Sequence, residues 1–262
     1  MTRTKTSRTV TALVAAAGRG TRLGASVPKA FVTLRGRSLV ERSVVALLTS
    51  GVVDEVIVLI SPDMHDFARD LLTRRGLLGG SRDVPVRLVH GGGERVDSVW
   101  AGVQAIATPP GSGGVVLIHD AARALTPPGM IARVARAVLG GAPAVIPVLP
   151  VADTIKTVDT AVSPERVVAT PPRSQLRAVQ TPQGCDLDAL RAANQAYFAS
   201  ADPGFVATDD ASLMEWAGHQ VVCVAGDPMA FKVTTPMDMM VARAVVDEAE
   251  PTVFEVPGGL RQ

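Results

Sequence analysis

Aromatic side chains are scarce in this chain, with 6 Phe, 2 Trp and 1 Tyr among 262 residues, and the charges nearly cancel to a formal +1. So small a net charge gives no electrostatic reason to expect nucleic acid or an anionic membrane as partner, and few rings are on hand for bases to stack on. The two cysteines, Cys185 and Cys223, lie in different segments without metal-ligand spacing, which suits a reduced, cytoplasmic protein. No run approaches the ~20 apolar residues needed to span a bilayer. Arg3, Lys5 and Arg8 before an apolar run ending at Ala17 superficially look like a signal peptide. That run is short and leads straight into a glycine loop, so it reads as a first buried strand behind a disordered basic tip over 1–9.

What the chain has is aliphatic residue, enough for a sizeable core in one large or two small α/β domains. Apolar runs suited to buried strands fall at Val10–Ala15, Val56–Ile60, Val86–Val89, Val115–Ile118, Ala144–Val148 and Val221–Val224. Helical spacing fills the gaps at Leu39–Leu48, His65–Leu72, Val96–Ile106, Met130–Leu139, Leu187–Phe198 and Pro236–Asp247. Short strands alternating with helices predict a mostly parallel sheet covered on both faces, with binding residues in loops beyond the strands' carboxyl ends. The rhythm breaks between about 151 and 182, where Pro164, Pro171 and Pro172 interrupt it. There Thr154–Val158 and Arg177–Gln180 read as pieces of a small hairpin or projecting arm. Residues from Pro251 onward read as a tail.

The first strand opens into Ala16-Ala17-Gly18-Arg19-Gly20-Thr21-Arg22-Leu23-Gly24, followed by Pro28-Lys29. Exposed N–H groups and fixed cations in such a loop favour an anion, so it reads as a phosphate cradle or as a plain turn. It is not a P-loop, because no lysine follows Gly24. Nor is it a dinucleotide fingerprint, because the third glycine comes one place late and Pro28 disfavours a helix through the loop.

Further polar loops follow the later strands. They are His90-Gly-Gly-Gly-Glu94-Arg95-Val-Asp97-Ser98, His119-Asp120-Ala121-Ala-Arg123, Asp153-Thr154-Ile-Lys156, Thr181-Pro182-Gln183, Thr208-Asp209-Asp210 and Lys232-Val-Thr234. An acidic residue just past a buried strand, as at Asp120, suits a metal ion or a ribose hydroxyl. Thr208-Asp209 also reads as a helix cap, Thr234-Thr-Pro236 as a helix start, His119 as structural, and Arg95 as a solvated helix cation.

In this order, the motifs closely resemble those of the 2-C-methyl-D-erythritol 4-phosphate cytidylyltransferases of the non-mevalonate isoprenoid pathway, over about Val10 to Asp247. The resemblance implies a Rossmann-like three-layer α/β/α fold with a mostly parallel central sheet and a projecting β-arm. It implies one nucleotidyltransferase domain over 10–250, monofunctional, with a dimerisation arm at about 151–182 and a tail over 251–262. Such a protein transfers CMP from CTP to a polyol phosphate with Mg²⁺, as a homodimer in which the arm of one subunit reaches the other's site.

Carried over by motif, Ala16, Ala17, Gly18 and Gly20 line the CTP loop, and Arg22 and Lys29 hold its phosphates. Gly92, Gly93 and Ser98 read cytosine, and Asp120 and Ala121 lie at the ribose, with Asp120 also the metal ligand. Arg123, Thr154, Arg173, Thr181 and Thr208 are the substrate-side residues, and Lys232 serves the reacting phosphates. Three positions depart from the family pattern: Gly93 where an acid is frequent, Ala124 where proline is usual, and Thr170-Pro-Pro-Arg173 in place of a Val-Asp-Arg form. The alternatives are a cytidylyltransferase for another polyol phosphate, such as ribitol 5-phosphate, and a catalytically silent nucleotide-binding subunit.

Overall fold

A computed structural model describes residues 8–18, 27–79, 83–200 and 204–248. Gly20 and Arg22 of the first loop, the tip before Arg8 and the tail over 251–262 lie outside the described residues. In chain order the elements are β1 (Val10–Ala15), β2 (Thr33–Leu34), β3 (Arg37–Ser38), α1 (Leu39–Thr49), β4 (Glu55–Ile60), α2 (His65–Arg74), β5 (Val86–His90), α3 (Arg95–Ala105), β6 (Val115–Asp120) and α4 (Pro128–Leu139). They continue with β7 (Ala144–Pro150), β8 (Thr157–Asp159), β9 (Arg166–Ala169), β10 (Arg177–Val179), β11 (Gln183–Asp186), α5 (Leu187–Ala199), α6 (Asp210–Trp216), β12 (Val221–Ala225) and α7 (Pro236–Glu248). Local signals set several of these limits. At the start of α1, Ser38 and Glu41 form a reciprocal cap, the Ser38 N–H donating to Glu41 at 2.7 Å and the Glu41 N–H to Ser38 Oγ at 3.3 Å, which satisfies donors that a helix start otherwise leaves unpaired.

The main sheet has the order β10-β7-β11-β6-β1-β4-β5, with β12 also on β7. β5, β4, β1 and β6 are parallel, as are β7 and β12, while β10 and β11 run antiparallel to their neighbours. From β1 the chain moves outward to β4 and β5, then returns through α3 to β6 on the other side of β1. Strand order therefore reverses between β1 and β6, the crevice where open α/β sheets bind ligands. Register pairs Ala15 with Asp120 there, so the two expected site loops leave the sheet side by side.

Period-two alternation divides the core. Val14, Val58, Ile60 and Leu117 pack toward α1, α2 and α4 through residues such as Val44, Leu72 and Val134. Leu13, Leu59, Val116 and Ile118 pack toward α3, α5 and α6 through Val103, Leu190 and Met214. A third cluster joins Leu34, Leu39, Leu125, Val233 and Met239, seating α7 beside the loop that follows β6.

Three expectations are corrected. The arm hairpin is β8 with β9, antiparallel and irregular in register between Thr157 and Val158. Arg177–Val179 is not its second limb but lies in the main sheet against β7. β11, absent from the expected strands, is inserted between β6 and β7. It carries almost no apolar signal because its burial comes from close approach: a Cβ on Gly184 would sit 2.7 Å from the Val134 side chain. Arg8, expected in a loose basic tip, is anchored by an ion pair to Asp186 and a bond to the Gly114 carbonyl at 3.1 Å.

His119 on β6 is fully buried, with Nδ1 3.2 Å from Thr181 Oγ1. Burial pushes its imidazole down to about 4, although the Asp120 carboxylate beside it pulls upward. The unfolded chain would take the proton near 6.5 and the fold only near 4, so the stabilisation is complete above 6.5 and is lost as pH falls toward 4. We expect the native protein to lose about 3 kcal/mol more than His119→Gln between pH 7 and 4 in denaturant titrations. Equal losses in the two proteins would contradict this account.

Candidate active site

At the carboxyl ends of β1, β5 and β6 opens a cavity of about 300 Å³. Its walls come from segments far apart in the chain: Ala16, Ala17 and Gly18 after β1, Lys29, then Gly92, Gly93, Arg95 and Ser98 around the start of α3, Asp120 and Ala121 after β6, and Lys232 before α7. Every sequence-predicted nucleotide-side residue among the described ones is thus gathered in one place.

Backbone pairing continues beyond the strands to hold these loops. The Ala16 N–H donates to the Leu59 carbonyl at 2.9 Å, Gly91 to Ile60 at 2.7 Å, and Ala121 to Ala15 at 3.2 Å. Gly92 is pressed against the first turn of α3, where an added Cβ would lie 2.3 Å from Asp97 Cβ, so no side chain fits. Asp97 in turn accepts the Glu94 N–H at 2.9 Å, and Ser98 Oγ donates to the Glu94 carbonyl at 3.0 Å. Lys29 begins a short 3₁₀ turn whose Phe31 is buried and meets Phe67 edge-on at 5.4 Å.

Lys232 is placed from both sides. The next residue, Val233, donates its N–H to the Ala122 carbonyl at 2.9 Å. Beyond it, Asp238 accepts the N–H groups of Thr234 and Thr235 and the Thr234 hydroxyl, each at 2.7 Å. The Thr234 hydroxyl bond, helped by these N–H donors, pulls the Asp238 carboxyl down to about 2.

Charge on the cavity floor centres on Asp120. Its Oδ2 meets Lys232 Nζ at 2.7 Å and its Oδ1 meets Arg95 Nε at 3.5 Å. Burial works to raise its pKa, but the Arg95 and Lys232 cations outweigh burial and hold it well below the usual carboxylate range. Arg95 also reaches Asp210 at 2.7 Å. Burial opposes the Arg95 charge, and the two carboxylates more than compensate, raising its pKa. Arg95 is therefore not the solvated helix cation expected from its position. Its partners lie 25 and 115 residues away in the chain, a proximity that periodicity does not encode.

The substrate-side residues fall elsewhere. Thr181 is buried behind Asp120, its Oγ1 accepting the Asp120 N–H at 3.0 Å. Arg123 turns from the cavity to the Ala230 and Val179 carbonyls, at 2.8 and 3.2 Å. Thr208 packs on Ser212 at the mouth of α6, with Asp209 as the cap. Thr154 is exposed ahead of β8, and Arg173 bonds the Ala152 carbonyl at 2.7 Å in a separate hollow with Arg177. Among these five, none lines the cavity of its own chain.

The family profile described as 2-C-methyl-D-erythritol 4-phosphate cytidylyltransferase matches residues 10–248. A protein of that name from Corynebacterium efficiens is 72% identical over 249 residues, covering 95% of this chain and 98% of the relative. One from Rhodococcus jostii is 50% identical over 239 residues, covering 91% and 96%. The solved 4-diphosphocytidyl-2C-methyl-D-erythritol synthase of Anaerococcus prevotii superposes with a TM-score of 0.75 at 28% identity, covering 92% of this chain and 99% of that one. On sequence, fold and the order of its site loops, the chain belongs to the 2-C-methyl-D-erythritol 4-phosphate cytidylyltransferase family.

Proposed function

We propose that the cavity transfers CMP from CTP to 2-C-methyl-D-erythritol 4-phosphate and releases pyrophosphate. The observation that carries this reading is convergence: Lys29 and Lys232, more than 200 residues apart in the chain, line one cavity with the Asp120 carboxylate on its floor. An acceptor phosphate oxygen forms a bond to the α-phosphorus of CTP while the bond to pyrophosphate breaks. Two anions must meet for this, so catalysis is mainly positioning and charge neutralisation. Lys29, joined by Arg22 from the first loop, stabilises charge growing on the α-phosphate and the leaving group. Lys232, half-exposed on Asp120, is the cation free to exchange that carboxylate for phosphate. Ala16, Ala17, Gly18 and Gly20 cradle the triphosphate, while Gly92, Gly93 and Ser98 bound the slot for the base.

A phosphate monoester dianion is already a nucleophile at neutral pH, so no side-chain base is required. His119 agrees with that, being buried and held neutral. For Mg²⁺, Asp120 is the residue to hold the ion. Among the described residues no three His, Cys, Asp or Glu side chains gather into a metal cage, and a lone carboxylate suits an ion that takes most ligands from phosphate and water. When bound, Mg²⁺ would offset the charge of the triphosphate.

The working unit is a homodimer in this reading. β8 and β9 are exposed along their length, Val167 and Val168 at 60% and 68%, and Thr154 and Arg173 flank them outside their own chain's cavity. An arm built on the β8–β9 hairpin, projecting from one domain over 10–250, would bring both to the partner's site. A cytoplasmic location is consistent with two unpaired cysteines, and no helix among the described residues is long and apolar enough to cross a membrane.

Pyrophosphate release with CTP and Mg²⁺ should be about tenfold or more faster with 2-C-methyl-D-erythritol 4-phosphate than with ribitol 5-phosphate, since a methyl group and hydroxyl placement separate the two acceptors. The reverse order would assign the other acceptor, and CTP binding without turnover would mark a silent subunit. Lys29→Ala and Lys232→Ala should each lower kcat by about 100-fold or more, as for loss of a preorganised charge donor. A folded variant with native turnover would remove that residue from the mechanism. Arg173→Ala should chiefly raise the KM for the acceptor, and an unchanged acceptor KM would count against the arm's role.

A further inference from the structure

Arg95 is the first residue of α3, the end of a helix at which its dipole disfavours a cation. Its presence there calls for compensation, and two carboxylates supply it. Asp210, whose side chain is only 4% exposed, takes Arg95 Nη2 at 2.7 Å, and Asp120 takes Nε at 3.5 Å. Asp210 is itself immobilised. It opens α6, whose start is fastened to β11 because Gln183 donates to Asp209 at 2.7 Å and accepts the Ala211 N–H at 2.9 Å. Asp120's other partner, Lys232, is a half-exposed cation at the cavity wall. Once Lys232 turns to a phosphate, Asp120 keeps Arg95 as its remaining ion-pair partner among the described residues.

We infer that Arg95 is a positioning residue, anchored by Asp210, that keeps the Asp120 carboxylate in place while Lys232 transfers to phosphate. This rests on the cytidylyltransfer reading of the cavity and adds to it a chain of charges, Asp210–Arg95–Asp120, that runs from the buried Asp210 to the cavity wall. The guanidinium fork suits the task because it offers several donors in a rigid plane and can serve two carboxylates at once, whereas a lysine ammonium is a single point of charge.

The test is steady-state kinetics on Asp210→Asn and Arg95→Lys, each also combined with Asp120→Asn, with CTP, acceptor and Mg²⁺ varied separately and folding checked by circular dichroism. Asp210→Asn touches no cavity wall, yet kcat should fall about 10- to 100-fold with the KM for CTP little changed, as when a partner orienting a functional group is removed. In the Asp120→Asn background the same substitution should cost no more than about twofold, because the group being positioned is gone. Arg95→Lys should fall between the native protein and Asp210→Asn in kcat, and it carries the same cycle should Asp210→Asn fail to fold. Penalties that multiply in the double variants would overturn the inference. So would a raised KM for CTP at unchanged kcat, which would make Arg95 a nucleotide ligand. A native protein inactive with every acceptor would instead overturn the reaction on which the inference rests.

Discussion

A carboxylate at the end of a buried central strand is expensive to keep charged, and the site is organised around compensating for it. Asp120 stands where strand order reverses, with its backbone paired to β1 and its N–H held by Thr181. Burial disfavours its charge, and that cost is offset only if cations are brought to it with good geometry. Arg95 arrives from the start of α3 and Lys232 from the loop before α7. The same two contacts that keep Asp120 ionised therefore tie three distant segments into one cavity wall.

The packing makes this arrangement rigid where it needs to be. Alternating aliphatic residues on β1, β4 and β6 bury both faces of the sheet, so the loops at the carboxyl ends start from fixed points. The small cluster of Leu34, Leu125, Val233 and Met239 then seats the Lys232 segment against the loop after β6. Lys232 reaches Asp120 from the exposed cavity wall, while Arg95 reaches it from a pairing with the buried Asp210. Asp120 thus has one cation partner that is half-exposed and another that a buried second carboxylate also holds.

Much of this was legible in the sequence, and what was missed has a common cause. Apolar runs at Val10–Ala15, Val56–Ile60 and Val115–Ile118 correspond to strands, and the helical stretches between them to helices, because period and burial are local properties of the chain. The glycine loop, Lys29, Gly92, Ser98, Asp120 and Lys232 were recognisable as a set through their order. β11 was not, because Gln183-Gly184-Cys185-Asp186 offers only Cys185 to the core, its other face being closed by the approach of α4 to Gly184. Arg177–Val179 reads from sequence as part of the arm and lies instead on β7, because a short alternating strand carries no mark of which partner it pairs with. The partners of Arg95, Arg123 and Thr181 are not legible in the sequence for a related reason: a polar side chain's contacts depend on whom it meets in space.

The sequence by itself determined the α/β alternation, the family, and the identities of the cations and the carboxylate from which a site is assembled. Those are consequences of residue type and spacing, which hydrophobic periodicity and motif order express directly. Only the tertiary structure decided that Arg95 serves two carboxylates, that Arg123 clamps backbone carbonyls away from the cavity, and that Thr154 and Arg173 stand outside their own chain's pocket. Electrostatic pairing depends on separation in space, and residues such as Arg95 and Asp210 come within 2.7 Å only when α3 and α6 are packed on the same face of the sheet.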